Sequence, residues 1–319
     1  MVRLFGRFSK GEHFVDIRTA SEAGEALILD AAGRAGVGPK LLGVVDGGRI
    51  EEYIDCRYFT HEEVKDERVL KAMARNLAKF HSLDLPIRKD PRVFTNTCHD
   101  FIKGIADRLK LWEKEQDFSK FAPSLRAKLT ELLAIDYVGH YEWVHAQLAK
   151  IKKRVVLSHS DVFYNNIIVR KEMTPANVKD GDILLVDVEL CSSYYRGLDV
   201  GGFTQEIAFD NTTTEAPVYI GQLGEELEVA FVREYVDTWI KINPDKFDPE
   251  VDTFENVLLE SRLLSLMLVG AFGLFFLDAF MQSPDTFPEA LFMRSNTRIP
   301  LDEKRKQQVI DMLKERGLY

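Results

Sequence analysis

The feature that most restricts this chain is a compact strand-rich island in a sequence whose second half is otherwise helical in texture. Three runs, VVLSH (155–159), NNIIV (165–169) and DILLVDVE (182–189), follow closely on one another. Each has a short apolar centre bounded by polar turn formers, the pattern of brief buried strands. Beyond the island the period is helical, clearest over 225–242, 253–282 and 302–316. Before it, 99–115 and 122–150 read as helices. Residues 60–81 read as one helix, with Thr60 and Glu63 at capping-box spacing and Val64, Leu70, Met73, Leu77 and Phe80 along one face.

The N-terminal stretch has a different texture. Val2–Phe5 reads as a strand and Thr19–Arg34 as a helix stopped by Gly36 and Gly38. GPKLLGVVDGGRIEEYI then reads as a hairpin, with Asp-Gly-Gly as its turn and a second strand ending at Ile54. The expectation is a mixed α+β chain in two lobes: a small β-rich part over 1–54, and a large helical part over 55–319 that contains the island. The organisation alone fits several folds.

Composition narrows the function. The 319 residues are 45% hydrophobic and 29% charged, ordinary for a globular protein, and the net charge of −9 offers no basic footprint for nucleic acid or anionic lipid. Three scattered cysteines argue against a disulfide framework or zinc site and for a reducing, cytoplasmic setting. The uncharged stretch Leu263–Leu277 is short for a membrane span and contains two glycines, so it reads as a buried helix.

The chemistry-bearing residues sit in the island. His159-x-Asp161-x-x-x-x-Asn166 lies in a loop between two apolar strands, and a later apolar strand delivers Asp187, with Glu189 two residues on. Phosphoryl transfer needs such a set: one carboxylate to orient and deprotonate the attacking hydroxyl, and oxygen ligands to hold Mg²⁺ on the phosphates. Asp161 fits the first task; Asn166 and Asp187 fit the second, with Glu189 in support. The plainer alternative makes Asp161 and Asn166 turn formers and Asp187 a strand end. His159 reads as structural, bonding backbone near Asp187.

Gly38-Pro-Lys-Leu-Leu-Gly, Gly48-Arg-Ile-Glu-Glu-Tyr-Ile, Leu157-Ser-His-Ser-Asp, Asn166-Ile-Ile and Val186-Asp-Val-Glu…Tyr195-Arg-Gly-Leu-Asp-Val-Gly…Glu206 resemble the choline/ethanolamine kinase family in order and spacing. The resemblance implies a protein-kinase-like fold and transfer of the ATP γ-phosphate to an amino alcohol, the first step toward phosphatidylcholine or phosphatidylethanolamine. It puts Asp161 at the catalytic position, and Asn166 and Asp187 at the Mg²⁺ ligands. Arg3 then reaches the nucleotide phosphates with Glu25 as its ion-pair partner, Glu52 to Ile54 meet adenine, and Phe163 lies beside the nucleotide. Glu206, Tyr195 and Phe272 face the amine end, and a homodimer is implied.

Two departures stand out. The family places two strands and a glycine-rich phosphate loop ahead of the strand that opens at Val2, so the expected N-lobe is incomplete; Gly6–Gly11 reads as a hairpin turn instead. Val269 and Phe272 stand where the family usually carries two tryptophans, Asn211 stands in place of a tyrosine, and Phe272, Phe275, Phe276 and Phe280 suit a core as well as a cation cage. Three functions are weighed: a choline or ethanolamine kinase, a catalytically impaired binding or dimer subunit, and a kinase for another small alcohol.

Overall fold

The computed structural model describes residues 1–4, 21–207, 209–210, 218–219, 223–282 and 303–319. The Gly6–Gly11 turn, Asn211 and the Phe272 side chain lie outside them. The chain forms two compact units. The first comprises Met1–Phe94, Lys152–Ala208 and Gln222–Ser261, and the second Thr95–Ile151, Phe209–Gly221 and Arg262–Tyr319. Residues 1–54 are therefore not a packing unit of their own.

The first unit opens with β1 (Val2–Leu4), α1 (Glu22–Arg34), β2 (Leu41–Val45) and β3 (Gly48–Glu51). Ser21 caps α1, and the helix ends as expected, with Gly36 in the left-handed region at φ +72°. β2 and β3 form the expected hairpin, Gly47 supplying the positive φ of its turn, and β1 pairs antiparallel with β3. β4 (Cys56–Arg57) follows.

The single helix expected over 60–81 is two: α2 (His61–Val64) and α3 (Glu67–His81). Thr60 and Glu63 do form the capping box, but they serve only α2. Asp66 then accepts from the Arg68 N–H at 2.9 Å and starts a new helix, because a short acidic side chain competes for backbone donors. Leu70, Met73, Leu77 and Phe80 of α3 are fully buried, as their spacing demands.

In the second unit, α4 (Arg92–Glu115, which begins in the first unit), α5 (Pro123–Leu133) and α6 (Tyr137–Leu148) replace the two expected helices; Asp136, capping the Gly139 N–H, makes the extra break. The island resolves into β5 (Val155–Ser158), β6 (Ile167–Arg170), β7 (Ile183–Leu185) and β8 (Ser192–Tyr195). These belong to two separate sheets, β5–β8 and β4–β6–β7. Then come α7 (Gly197–Glu206), the short strands β9 (Phe209–Asp210) and β10 (Val218–Tyr219), α8 (Glu225–Ile242), α9 (Phe254–Gln282) and a helix over 303–315. α3 packs on α8, and α3 also covers β5 and β7.

α9 is long and apolar enough to cross a membrane, yet 71% of its most apolar window is buried in the protein, which fits the expected core helix. Within the second unit, Asp278 accepts from Arg108 at 2.8 Å, Phe121 lies 6.3 Å from Phe280, and Phe101 stacks on Phe275 at 6.4 Å. Phe275 and Phe280 are thus engaged in packing.

Candidate active site

The site is built where β5 ends and β6 begins. β5 runs antiparallel to β8, with Ser158 opposite Ser192, and delivers the chain to Ser160, whose φ of +66° is left-handed for a residue with a side chain. Such a conformation costs on the order of 1–3 kcal/mol and persists only when its surroundings impose it. Asp199, on α7, imposes it. Its Oδ1 accepts from the Ser160 N–H at 2.8 Å and the Ser158 hydroxyl at 3.0 Å. Its Oδ2 accepts from the His159 N–H at 2.6 Å and His81 Nε2 at 2.8 Å. Burial alone would raise the Asp199 pKa; the His81 bond and neighbouring positive character hold it below its ordinary value.

From Ser160 the loop closes on itself. The Asp161 carbonyl accepts from the Phe163 N–H at 2.8 Å, and the Phe163 carbonyl accepts from the Asn166 N–H at 2.8 Å. Asn166 Nδ2 then donates to Asp161 Oδ2 at 2.7 Å, which fixes the carboxyl and leaves Asn166 Oδ1 as the acceptor available to a cation.

β6 and β7 pair with Ile167 opposite Leu185, and the Val186 N–H donates to the Asn166 carbonyl at 2.9 Å. That register sets Asp187 beside the Asp161–Asn166 pair. His159 Nε2 donates to the Val186 carbonyl at 2.9 Å, the structural role its position suggested; its Nδ1 is buried without a hydrogen-bond partner among the described residues. Burial holds the imidazole pKa below the ordinary histidine value. Asp187 itself has φ +65°, a second left-handed residue with a side chain.

The charges of these groups act on one another. The Asp161 pKa is pushed up to about 7, first by burial and next by the charge of Asp187, with Glu206 and Glu189 adding to it and the Asn166 bond opposing it. A carboxyl that titrates near neutrality is suited to taking up a hydroxyl proton. Among the described residues no three His, Cys, Asp or Glu side chains form a preformed metal cage. Mg²⁺ does not ask for one: it is commonly held by one or two carboxylates, with water and phosphate oxygens completing the octahedron. Asp187 and Asn166, both oxygen donors in a cluster rich in negative charge, fit that demand.

The expected partner of Arg3 is corrected by the strand register. Arg3 and Arg49 stand opposite each other on β1 and β3 and so share a face. Arg49, 1% exposed, takes Glu25 and also Glu51, the latter at 2.6 Å. Burial would lower its pKa, but the two carboxylates raise it. With Glu25 committed, Arg3 bonds Asp187 at 2.5 Å. Arg49 was not singled out from sequence, though an arginine and a glutamate at i and i+2 of one strand signal a same-face pair.

The remaining expected residues divide. Glu206, 5% exposed, closes α7 and acts on Asp161 through its charge, and Glu189 lies in the turn after Asp187. Tyr195 is paired with Val155, at the opposite end of the β5–β8 ribbon from the loop, with Lys153 over its ring at 5.0 Å; the structure does not bring it to the cluster. The Glu52 N–H donates to the Lys40 carbonyl at 2.8 Å, and Ile54 is buried just before β4. Cys191 is buried near Asp199, Asp161, Glu25 and Asp187, and burial together with those charges keeps its thiol protonated.

A helical protein with small sheets, four among the described residues, and a loop that sets an aspartate, an asparagine and a strand-end aspartate together has the protein-kinase-like fold. Solved structures agree: an ethanolamine kinase of Plasmodium vivax superposes with TM-score 0.63 at 20% identity, over 95% of this chain and 77% of its own. A choline kinase of Cryptosporidium parvum gives 0.60 at 16% identity, over 93% and 81%. The model of the choline/ethanolamine kinase family matches residues 1–297, and this chain belongs to that family. A choline/ethanolamine kinase of Rattus norvegicus is 28% identical over 74% of the chain and 55% of its own length, and choline kinase alpha of Mus musculus is 23% identical over 96% and 69%. The chain thus spans about half the length of the first of these relatives.

Proposed function

We propose that this protein transfers the γ-phosphoryl group of ATP to the hydroxyl of choline or ethanolamine. The observation that carries the reading is the meeting of Asp161, Asn166 and Asp187 at the adjoining ends of β5, β6 and β7, in a chain of this family. Asp161 orients the acceptor hydroxyl and takes its proton as the oxygen attacks. Asn166 holds Asp161 in place through Nδ2 and, with Asp187, holds Mg²⁺. When bound, that ion neutralises charge on the phosphates and aligns the transferring group. Arg3 reaches the phosphates, the backbone of Glu52 to Ile54 faces adenine with Phe163 near the nucleotide, and the buried carboxylate of Glu206 attracts the amine end. The product feeds phosphatidylcholine or phosphatidylethanolamine synthesis in the cytoplasm.

The test is formation of phosphocholine or phosphoethanolamine from Mg·ATP. Asp161→Ala is expected to lower turnover by about 10²–10⁴-fold, the usual yield of a positioned general base. Turnover untouched by that substitution would end the mechanism. Activity confined to a different alcohol in a substrate panel would keep the chemistry and change the acceptor.

A further inference from the structure

On the face shared by β1 and β3, two arginines stand opposite each other in different circumstances. Arg49 is sealed from solvent and clamped by two carboxylates, so it is fixed in place. Among the described residues Arg3 makes one ion pair, to Asp187 Oδ1 at 2.5 Å, and the two side chains are 35% and 33% exposed. That pair is within reach of water and of ligands. Its acidic member is the carboxylate that the proposed function gives to the divalent ion.

A cation and a metal ion cannot both take the same carboxylate oxygen. A bare divalent ion taking Oδ1 must displace the guanidinium, and one taking Oδ2 must sit beside it, positive charge against positive charge. A nucleotide arriving with the metal changes the balance, because its phosphates give the guanidinium a bidentate partner at the moment it leaves the carboxylate. We propose that Arg3 guards Asp187: it holds the metal carboxylate while no nucleotide is bound and passes to the phosphates when one arrives. Metal and nucleotide therefore bind synergistically, and bare metal binds poorly. The inference rests on the phosphotransferase reading of the site and adds the order in which its charges are exchanged. By linkage, whatever nucleotide gains from metal, metal gains from nucleotide.

Mn²⁺ is the probe, its free aquo ion counted by electron paramagnetic resonance against the full-length chain without nucleotide. Arg3→Gln is expected to bind Mn²⁺ about two- to fivefold more tightly than the unaltered protein, the range open to a partly exposed ion pair. Asp187→Asn is expected to bind more weakly than either. Addition of a non-hydrolysable ATP analogue should tighten Mn²⁺ binding in the unaltered chain more than in Arg3→Gln.

If Arg3→Gln matches the unaltered chain or binds less well, while Asp187→Asn still weakens binding, the guard is wrong and the metal site stands. If Asp187→Asn changes nothing, with or without the analogue, Asp187 is not a ligand and the functional reading falls as well. Should Arg3→Gln melt below the assay temperature, Arg3→Met serves in its place. It removes the charge and keeps an extended side chain, and binding no tighter than that of the unaltered chain overturns the proposal.

Discussion

Arg3 and Arg49 differ by their surroundings alone, and the difference sets what each can do. Both are arginines on paired strands, facing the same side. Arg49, with Glu25 and Glu51, forms a triad shut away from water. Burying such charges stabilises little in itself, because desolvation cancels much of the attraction, but removing one member leaves the others stranded. Arg49→Met strands two buried carboxylates and is expected to cost about 3–5 kcal/mol in urea unfolding. Arg3→Gln, at a partly exposed single pair, is expected to cost no more than about 1 kcal/mol. Equal losses for the two would mean that Arg3 is as structural as Arg49, and unfit to exchange partners.

At the scale of elements, α7 is the part whose placement matters most, since it carries Asp199 at one end and Glu206 at the other. Its first residue, Gly197, donates its N–H to Glu260 Oε1 at 2.9 Å, and a Cβ there would lie 2.7 Å from the Glu260 backbone carbon. The obstruction is main chain of α9, which cannot swing aside as a side-chain tip would. Gly197→Ala is therefore expected to destabilise by about 1–3 kcal/mol and to lower turnover along with it, by shifting Asp199 and so the Ser160 turn. A stable, fully active alanine variant would show that α7 has slack. The order of elements was largely legible from sequence: the hairpin through its Asp-Gly-Gly turn, α8 and α9 through their period, the catalytic loop through its polar residues between apolar strands. β8 was not, because Ser192-Ser-Tyr-Tyr195 has no apolar alternation and is a strand only because β5 pairs with it. Nor was the break before α3, where one aspartate outweighs a continuous apolar face. In the site, Asp161, Asn166 and Asp187 could be read as a motif, whereas the partner of Glu25 depended on which of two arginines lies deeper, a fact of packing that no local pattern shows.

For the whole molecule, the site's charges set how stability responds to pH. The folded chain keeps the Asp161 proton up to about pH 7, while an unfolded chain releases it near the ordinary value of 3.8. Between those values the folded state binds more protons, so this group's contribution to stability declines as pH rises through that window. His159 acts in the other direction. Its pKa is lowered by burial, so the folded state binds fewer protons than the unfolded just below the ordinary value of 6.5, and stability is lost as pH falls there. A melting curve of the unaltered protein mixes the two slopes. Asp161→Asn separates them, because asparagine keeps the shape and removes only the titrating charge beside Asp187. The variant should melt close to the unaltered protein at pH 4.5, then draw ahead as pH rises, by about 2–4 °C per kcal/mol of relieved repulsion, and level off above pH 8. The unaltered protein, carrying three neighbouring acidic charges against Asp161, gives up that stability to keep a proton acceptor poised in the loop. A difference in melting temperature that does not vary with pH would mean that Asp161 titrates as an ordinary carboxylate, and that the crowding of negative charge at the loop is too weak to prepare it for taking a proton.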